Sequence, residues 1–241
     1  MIPNLTLFLL LSLLAEILGT IGGFGSSVFF VPIADLYFDF HSVLGITAIF
    51  HLSSNISKIA LFRKGIDKSL LLNFGVPAVL FVILGAWLTN FFDAKILELS
   101  LSVFLIVLSL VFLIFRNWEL KPTKTNSLIG GGLSGFVAGM VGTGGAIRGM
   151  TLSAFNMNKD AFIATSAIID FAIDLSRSGV YFYNGYIHQH DMYLIPFLLI
   201  IGFVGTWIGK KILNHINQKT FKTIVLVLIL VIGIFSLYKV L

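Results

Sequence analysis

The sequence contains no cysteine, which excludes disulfide frameworks, thiolate metal sites and cysteine nucleophiles together. Charge is scarce as well. Asp, Glu, Lys and Arg make up 11% of the 241 residues, whereas an ordinary globular domain carries about a quarter. Lys and Arg exceed Asp and Glu by five, yet they fall mostly in short gaps between apolar blocks, so no nucleic-acid partner is expected. Catalytic motifs are missing too: the Ser-rich stretches lack an orienting His and Asp, and the Gly clusters lack the Lys-Ser/Thr ending of a P-loop. Neither an enzyme nor a cofactor is expected. His188, His190 and Asp191 are neighbours, but their spacing specifies no metal geometry; they read as solvent-exposed loop residues, and no metal site is assigned.

What the chain has is apolar length. Hydrophobic residues form 57% of it, mean hydropathy is +1.00, and the blocks approach the roughly 20 residues that span hydrocarbon. Six read as spanning helices: Phe40–Phe62, Leu70–Phe92, Ile96–Phe115, Ala161–Tyr183, Tyr193–Ile212 and Thr220–Leu241. Two further blocks, Asn4–Phe38 and Asn126–Asn158, are too long for one straight helix and are interrupted by Gly22-Gly23-Phe24-Gly25 and Gly142-Thr143-Gly144-Gly145, where glycine favours local unwinding. The apolar run Leu5–Leu14 follows no Lys or Arg, precedes Glu16 and has no small-residue cleavage site, so it is read as mature structure.

A shift of 120 residues superposes Gly19 on Gly139, Gly22 on Gly142, Gly25 on Gly145, Phe62 on Phe182, Gly65 on Gly185, Gly85 on Gly205 and Trp87 on Trp207. This predicts two copies of one unit, residues 1–120 and 121–241. Charge counting selects the topology, because cytoplasmic loops collect Lys and Arg. If each broken block crosses once, the sides hold seven and five cations, with no bias. If each returns to its starting side, Arg63, Lys64, Lys68, Arg116, Lys121, Lys124, Lys159, Lys210, Lys211 and Lys219 share one side against Lys95 and Lys239, ten against two. The expected fold is therefore an all-α polytopic membrane protein with two inverted repeats. Each is a Gly-broken or re-entrant segment followed by three transmembrane helices, with both termini facing outward. In transporters such repeats meet at a binding site near the bilayer midplane.

The candidate site follows from the breaks. Half-helices starting near Ser26–Pro32 and Ala146–Ala154 would point free N–H groups and positive dipole ends at a ligand. That nominates Gly22, Gly23, Gly25, Ser26, Ser27, Gly142, Thr143, Gly144, Gly145 and Arg148 as substrate contacts; the alternative is that the glycines serve only helix packing. An unpaired Arg at mid-membrane costs about 2.5–3.5 kcal/mol on translocon scales, so Arg148 needs a partner, either an anionic substrate or Asp170 or Asp174. Asp170, Asp174 and Arg177 share one helix face at i, i+4 and i+7, in either a coupling role or a structural ion-pair role. His51, Asn55 and Lys58 share a face in the matching helix, with Ser54 beside them; His51 is a proton carrier or a satisfied interior histidine. Glu16 faces either the pore or the lipid interface.

At Gly19-Thr-Ile-Gly-Gly-Phe-Gly-Ser-Ser-Val-Phe-Phe-Val-Pro32 and Ala138-Gly-Met-Val-Gly-Thr-Gly-Gly145 the chain resembles the TauE/SafE sulfite exporter family. Ala164-Thr-Ser-Ala167, the Arg63-Lys-Gly65 turn and the total length extend the likeness over nearly the whole chain. The resemblance implies a multi-pass inner-membrane permease that exports sulfite, thiosulfate, sulfoacetate or a related organosulfonate, with a proton or sodium ion as candidate coupling partner. A passive anion channel, or a permease for a non-sulfur organic anion, is the alternative. Two positions depart from the family pattern: Leu152 stands where Pro32 stands in the first motif, and Arg148 replaces a small or apolar residue. The extra cation favours a dianion or a carboxylated sulfonate.

Overall fold

The computed structural model describes residues 4–23, 25–62, 65–115, 120–213, 215 and 218–241, with the side chains of 190 and 218–222 left out. Phe24, Arg63, Lys64 and Arg116, and the side chains of His190 and Lys219, therefore lie outside the described residues. Those described form helices and connecting turns without strands. The first half consists of α1 (Leu5–Gly22), α2 (Ser27–Ala34), α3 (Phe40–Leu61), a rod built from α4 (Lys68–Leu70), a π-helical turn (Leu71–Gly75) and α5 (Val76–Leu88), and then α6 (Ala94–Ile114). The second half consists of α7 (Lys124–Val141), α8 (Gly145–Ser153), α9 (Lys159–Tyr183), α10 (Ile195–Leu213) and α11 (Gln218–Val240).

Both long blocks break where glycine adopts a backbone conformation that other residues rarely reach. Gly23 (φ 72°) closes α1 with its N–H on the Gly19 carbonyl, and Gly142 (φ 79°) closes α7 with its N–H on Ala138. These are left-handed C-caps. Gly142 aligns with Gly22 at a shift of 120, so the cap in the first half sits one residue later than the sequence register implies. After each break the chain turns back. Phe8, near the start of α1, packs edge-on against Tyr37 and Phe38 just beyond α2. In the second half a Cβ on Gly130 would meet Thr151 Oγ1 at 2.4 Å, which places α8 alongside the first turns of α7.

Helix pairing is unchanged when the two halves are exchanged: α1 packs on α10 as α7 packs on α5, α3 on α10 as α9 on α5, while α3 meets α9 and α6 meets α11. The register reaches individual residues. Gly85 lies against the Phe136 carbonyl, and its counterpart Gly205 lies against Glu16, the counterpart of Phe136. The α5–α7 pair is the tightest, because Gly131, Gly135 and Gly139 press on the carbonyls of Phe74, Ala78 and Val82, leaving no room for a Cβ. Such small-residue seams bring membrane helices together where hydrophobic driving force is weak.

Among the described residues, six helical stretches are long and apolar enough to cross a membrane: Leu5–Gly22, Phe40–Leu61, Lys68–Phe91, Ala94–Ile114, Asp191–Leu213 and Thr223–Val240. The outward side of α6, with Val103, Val107, Leu110 and Ile114 all exposed, has the composition expected against lipid. Two stretches depart from expectation. Leu5–Gly22 qualifies by composition although it is one arm of a hairpin, and α9 does not qualify. At 25 residues α9 is long enough, but Asp170, Asp174 and Arg177 on its inner face lower its hydropathy.

The two ends of the bundle differ in charge. Lys239 clasps Asp35 (2.8 Å) at one end, where Tyr186 also bonds Thr89. At the other, Lys210 donates to the Leu61 carbonyl (2.8 Å) and the Asp67 N–H to Thr165 (3.0 Å). With the hairpins returning, the described cations Lys68, Lys121, Lys124, Lys159, Lys210 and Lys211 gather at the second end.

Candidate functional site

The hairpins bring their breaks together at the centre of the bundle. Ser27 Oγ donates to Thr143 Oγ1 (3.1 Å) across the two halves, and a Cβ on Gly25 would lie 3.6 Å from Arg148 Nη2 and 4.0 Å from Gly145 Cα. Neither α2 nor α8 carries a side-chain cap at its first turn. A cavity of about 20 Å³ opens between the breaks, with room for about one water. Gly25, Ser27, His51, Asn55, Gly142, Gly144, Gly145, Arg148, Asp170, Asp174 and Arg177 all line it, so the structure unites most of the residues nominated from sequence.

Three buried ion pairs hold the charges. Arg148 donates through Nη1 to Asp170 and through Nε to Ser166 Oγ (2.6 Å). Arg177 grips Asp174 through Nε (2.9 Å) and Nη2 (2.8 Å), and Asn55 donates to the other Asp174 oxygen (2.7 Å). Lys58 pairs with Glu16 at 3.0 Å. Three cations face three carboxylates, so the formal charges of these side chains balance.

The pairs differ in how freely they can exchange. Arg177 Nη1 also donates to the carbonyls of Ala138 (3.0 Å) and Gly142 (2.8 Å), and Tyr181 donates to Gly139 (2.7 Å). These carbonyls lie at the C-terminal end of α7, where intrahelical donors run out, and that of Ala138 also accepts the capping Gly142 N–H, so Arg177 is built into the break itself. Arg148 has no such tie. Its partner in the structure is the internal carboxylate Asp170, whose side chain is 19% exposed against 4% for Arg148.

Two further cavities adjoin this centre, one after the other. Gly25, Lys58, Arg148 and Asp170 line both the cavity and a second small chamber, which shares Thr20, Gly23, Phe162 and Ile163 with a vestibule of about 320 Å³. Ser153, Asn156, Lys159 and Leu213 line the vestibule, which puts its mouth at the cation-rich end. Toward the opposite end, Val31 and Leu44 lie against Gly142, and the buried rings of Phe30 and Phe50 meet at a tilt with centroids 4.6 Å apart.

Some nominated residues lie off the cavity. Gly22 and Gly23 line the vestibule instead. Ser26 and Ser54 turn their hydroxyls to Glu16, with Ser26 also 3.4 Å from His51 Nε2, and Thr143 backs Ser27. Glu16 faces neither open pore nor lipid: it is fully buried and receives Ser54 (2.5 Å), Thr20 (3.1 Å), Thr206 (3.0 Å) and Ser26 as well as Lys58. Sequence reasoning placed Lys58 on the polar face with His51 and Asn55 but gave it no role of its own, although it is the one Lys in an otherwise uncharged apolar block. The reading of the turn at 188–191 as solvent-exposed is corrected for Asp191, while the His188 side chain stays 39% exposed. Asp191 is buried, 3.7 Å from His188 Nδ1, which also lies 2.8 Å from Ser42 Oγ, because this turn folds in over the start of α3.

No curated protein matches the chain. The sequence profile described as Sulfite exporter TauE/SafE matches residues 8–236, a span that takes in both hairpins and all three buried ion pairs. This multi-pass membrane protein belongs to the TauE/SafE sulfite exporter family.

Proposed function

We propose that the protein exports a small sulfur-containing anion, such as sulfite, thiosulfate or an organosulfonate, across the inner membrane by alternating access. The observation that carries this reading is the Arg148–Asp170 pair, a buried guanidinium whose counter-ion stands at the cavity surface on the route from the vestibule. An oxyanion can take the place of Asp170, because an Arg fork binds carboxylate and sulfur oxyanions through the same paired donors. The uncapped starts of α2 and α8 add backbone donors at the same point.

Exchange symmetry between the halves supports an inverted repeat, and the cation-rich mouth of the vestibule supports a cytoplasm-facing state with the far side closed. Rocking of the halves would open the opposite route. Once displaced, Asp170 is a carboxylate without its cation, so a proton or a sodium ion is the natural coupling partner; His51 is the second candidate to carry a proton.

Counterflow in proteoliposomes tests the proposal. External unlabelled sulfite or thiosulfate should accelerate exchange of labelled anion trapped inside, and Arg148→Gln should abolish the effect. Flux without acceleration would make the protein a passive channel, and absence of anion-dependent flux would remove the transport reading altogether.

A further inference from the structure

Arg148 is one of two cations at the neck between the inner cavity and the outer chamber; Lys58 is the other. Their counter-ions are placed differently. Asp170 lines both compartments and so occupies the neck together with the cation that it neutralises. Glu16 is fully buried and lines neither of them, so it balances Lys58 from behind.

The hydrogen bonds make that arrangement rigid. A carboxylate has about four acceptor positions, and Glu16 receives the hydroxyls of Thr20, Ser26, Ser54 and Thr206 together with the Lys58 ammonium. These donors come from α1, the start of α2, α3 and α10, so several elements hold Glu16 in place. Lys58 has three donors. One goes to Ser54 Oγ (2.6 Å), and the ion-pair partner Glu16 Oε1 stands 3.0 Å from Nζ; neither partner lines the neck, whereas Lys58 lines both compartments and keeps donors for the cavity side.

We infer that Lys58 is a second anion-contacting cation, the one that an oxyanion meets before it exchanges onto Arg148, and that Glu16 is the positioning residue that aims the Lys58 ammonium into the neck. Binding at Lys58 displaces no carboxylate, whereas binding at Arg148 requires Asp170 to leave; the order follows from that difference. The chemistry suits a pyramidal or tetrahedral oxyanion, whose separate oxygens can bridge an ammonium and a guanidinium during the transfer. The inference rests on the export reading above and adds to it a residue that the Arg148–Asp170 exchange does not use.

The test uses the full-length protein in detergent, with sulfite and thiosulfate as probes and direct binding as the readout. Lys58→Gln alone would strand Glu16, so the variant is the neutral pair Lys58→Gln with Glu16→Gln, compared with Lys58→Arg. Loss of a charge-assisted contact should raise the Kd of the double variant about tenfold or more, and Lys58→Arg, which keeps the charge, should restore binding to within a few-fold. A monodisperse double variant that binds with the wild-type Kd overturns the inference. If the double variant does not fold, selenite located by anomalous scattering in the wild-type protein decides: contact with Lys58 Nζ supports the assignment, and selenite held by Arg148 alone overturns it. Wild-type protein that binds none of these anions defeats the export reading itself, a result distinct from binding that ignores Lys58.

Discussion

Replacing Asp170 with Asn separates a transport role for this carboxylate from a purely structural one. The substitution keeps the shape and removes the charge opposite Arg148, so the formal charges of the central side chains, balanced in the wild type, sum to one net positive charge. Breaking a buried ion pair costs about 3–5 kcal/mol, and the partial exposure of Asp170 at the cavity places this case near the lower end. The unfolding temperature should therefore drop in anion-free buffer. Anion binding should strengthen in the same variant, because no carboxylate competes for Arg148; each tenfold gain in affinity corresponds to about 1.4 kcal/mol. Saturating anion then returns much of the loss, with about 2.7 kcal/mol of stabilisation at a concentration of 100 Kd. A pH signature goes with it. Anion binding pushes Asp170 off its cation, and with a proton as the coupling partner taking that cation's place, wild-type affinity should rise as pH falls. That slope should vanish in Asp170→Asn. Thermal unfolding of both proteins across an anion titration, repeated between about pH 5 and 8, reads all three effects. A variant that binds anion more weakly while remaining folded, or that keeps the wild-type pH slope, would refute the exchange of Asp170 for substrate.

Three further outcomes are expected. Arg148→Lys keeps the charge but loses the planar fork and the Nε bond to Ser166, so anion affinity measured by calorimetry should fall about ten- to a hundredfold. Gly135→Ala puts a Cβ 2.0 Å from the Ala78 carbonyl and should lower the unfolding temperature through about 1–3 kcal/mol of overpacking or more; Gly132→Ala, whose Cβ lies 3.5 Å from the Phe81 ring, should be tolerated in the same melt. At the bundle end, burial alone would raise the Asp39 carboxyl, but the Ser42 hydroxyl and N–H, with His188 and His41 nearby, hold it below its ordinary value. Its contribution to stability is therefore present above about pH 3.9 and is lost as pH falls through the lower folded value. Asp39→Ala should cost about 1 kcal/mol as a lost helix cap and flatten the acid limb of a stability profile measured by denaturant titration.

The glycine breaks and the return of each hairpin could be read from the chain because both leave local marks: Gly clusters in the middle of long apolar runs, and a cation count that makes sense only if α2 and α8 turn back. The polar face of α9 was legible for the same reason, since i, i+4, i+7 spacing survives in any helix. What could not be read is which partner each charge takes. Arg148 had a substrate and two carboxylates open to it, and only packing gives Asp170 to Arg148 and Asp174 to Arg177. Glu16 was opaque because Ser26, Ser54, Lys58 and Thr206 reach it from three separate segments, and no periodicity links residues 16 and 206. Asp191 misled because a polar residue in a short turn normally meets water, whereas this turn is folded over α3.

The exchange of helix partners between the halves has a consequence for how the protein meets its two aqueous phases. Under the same 120-residue shift Arg148 falls on Val28, Asp170 on Phe50, Asp174 on Ser54, Arg177 on Ser57 and Lys58 on Ser178: the helix pairing recurs between the halves and the ionic equipment does not. Mirror-related conformations of the backbone would thus confront the cargo with different fields. Half-saturating concentrations measured from opposite faces should be unequal, and vesicles of mixed insertion should show two kinetic components where a fully symmetric ancestor would have shown one.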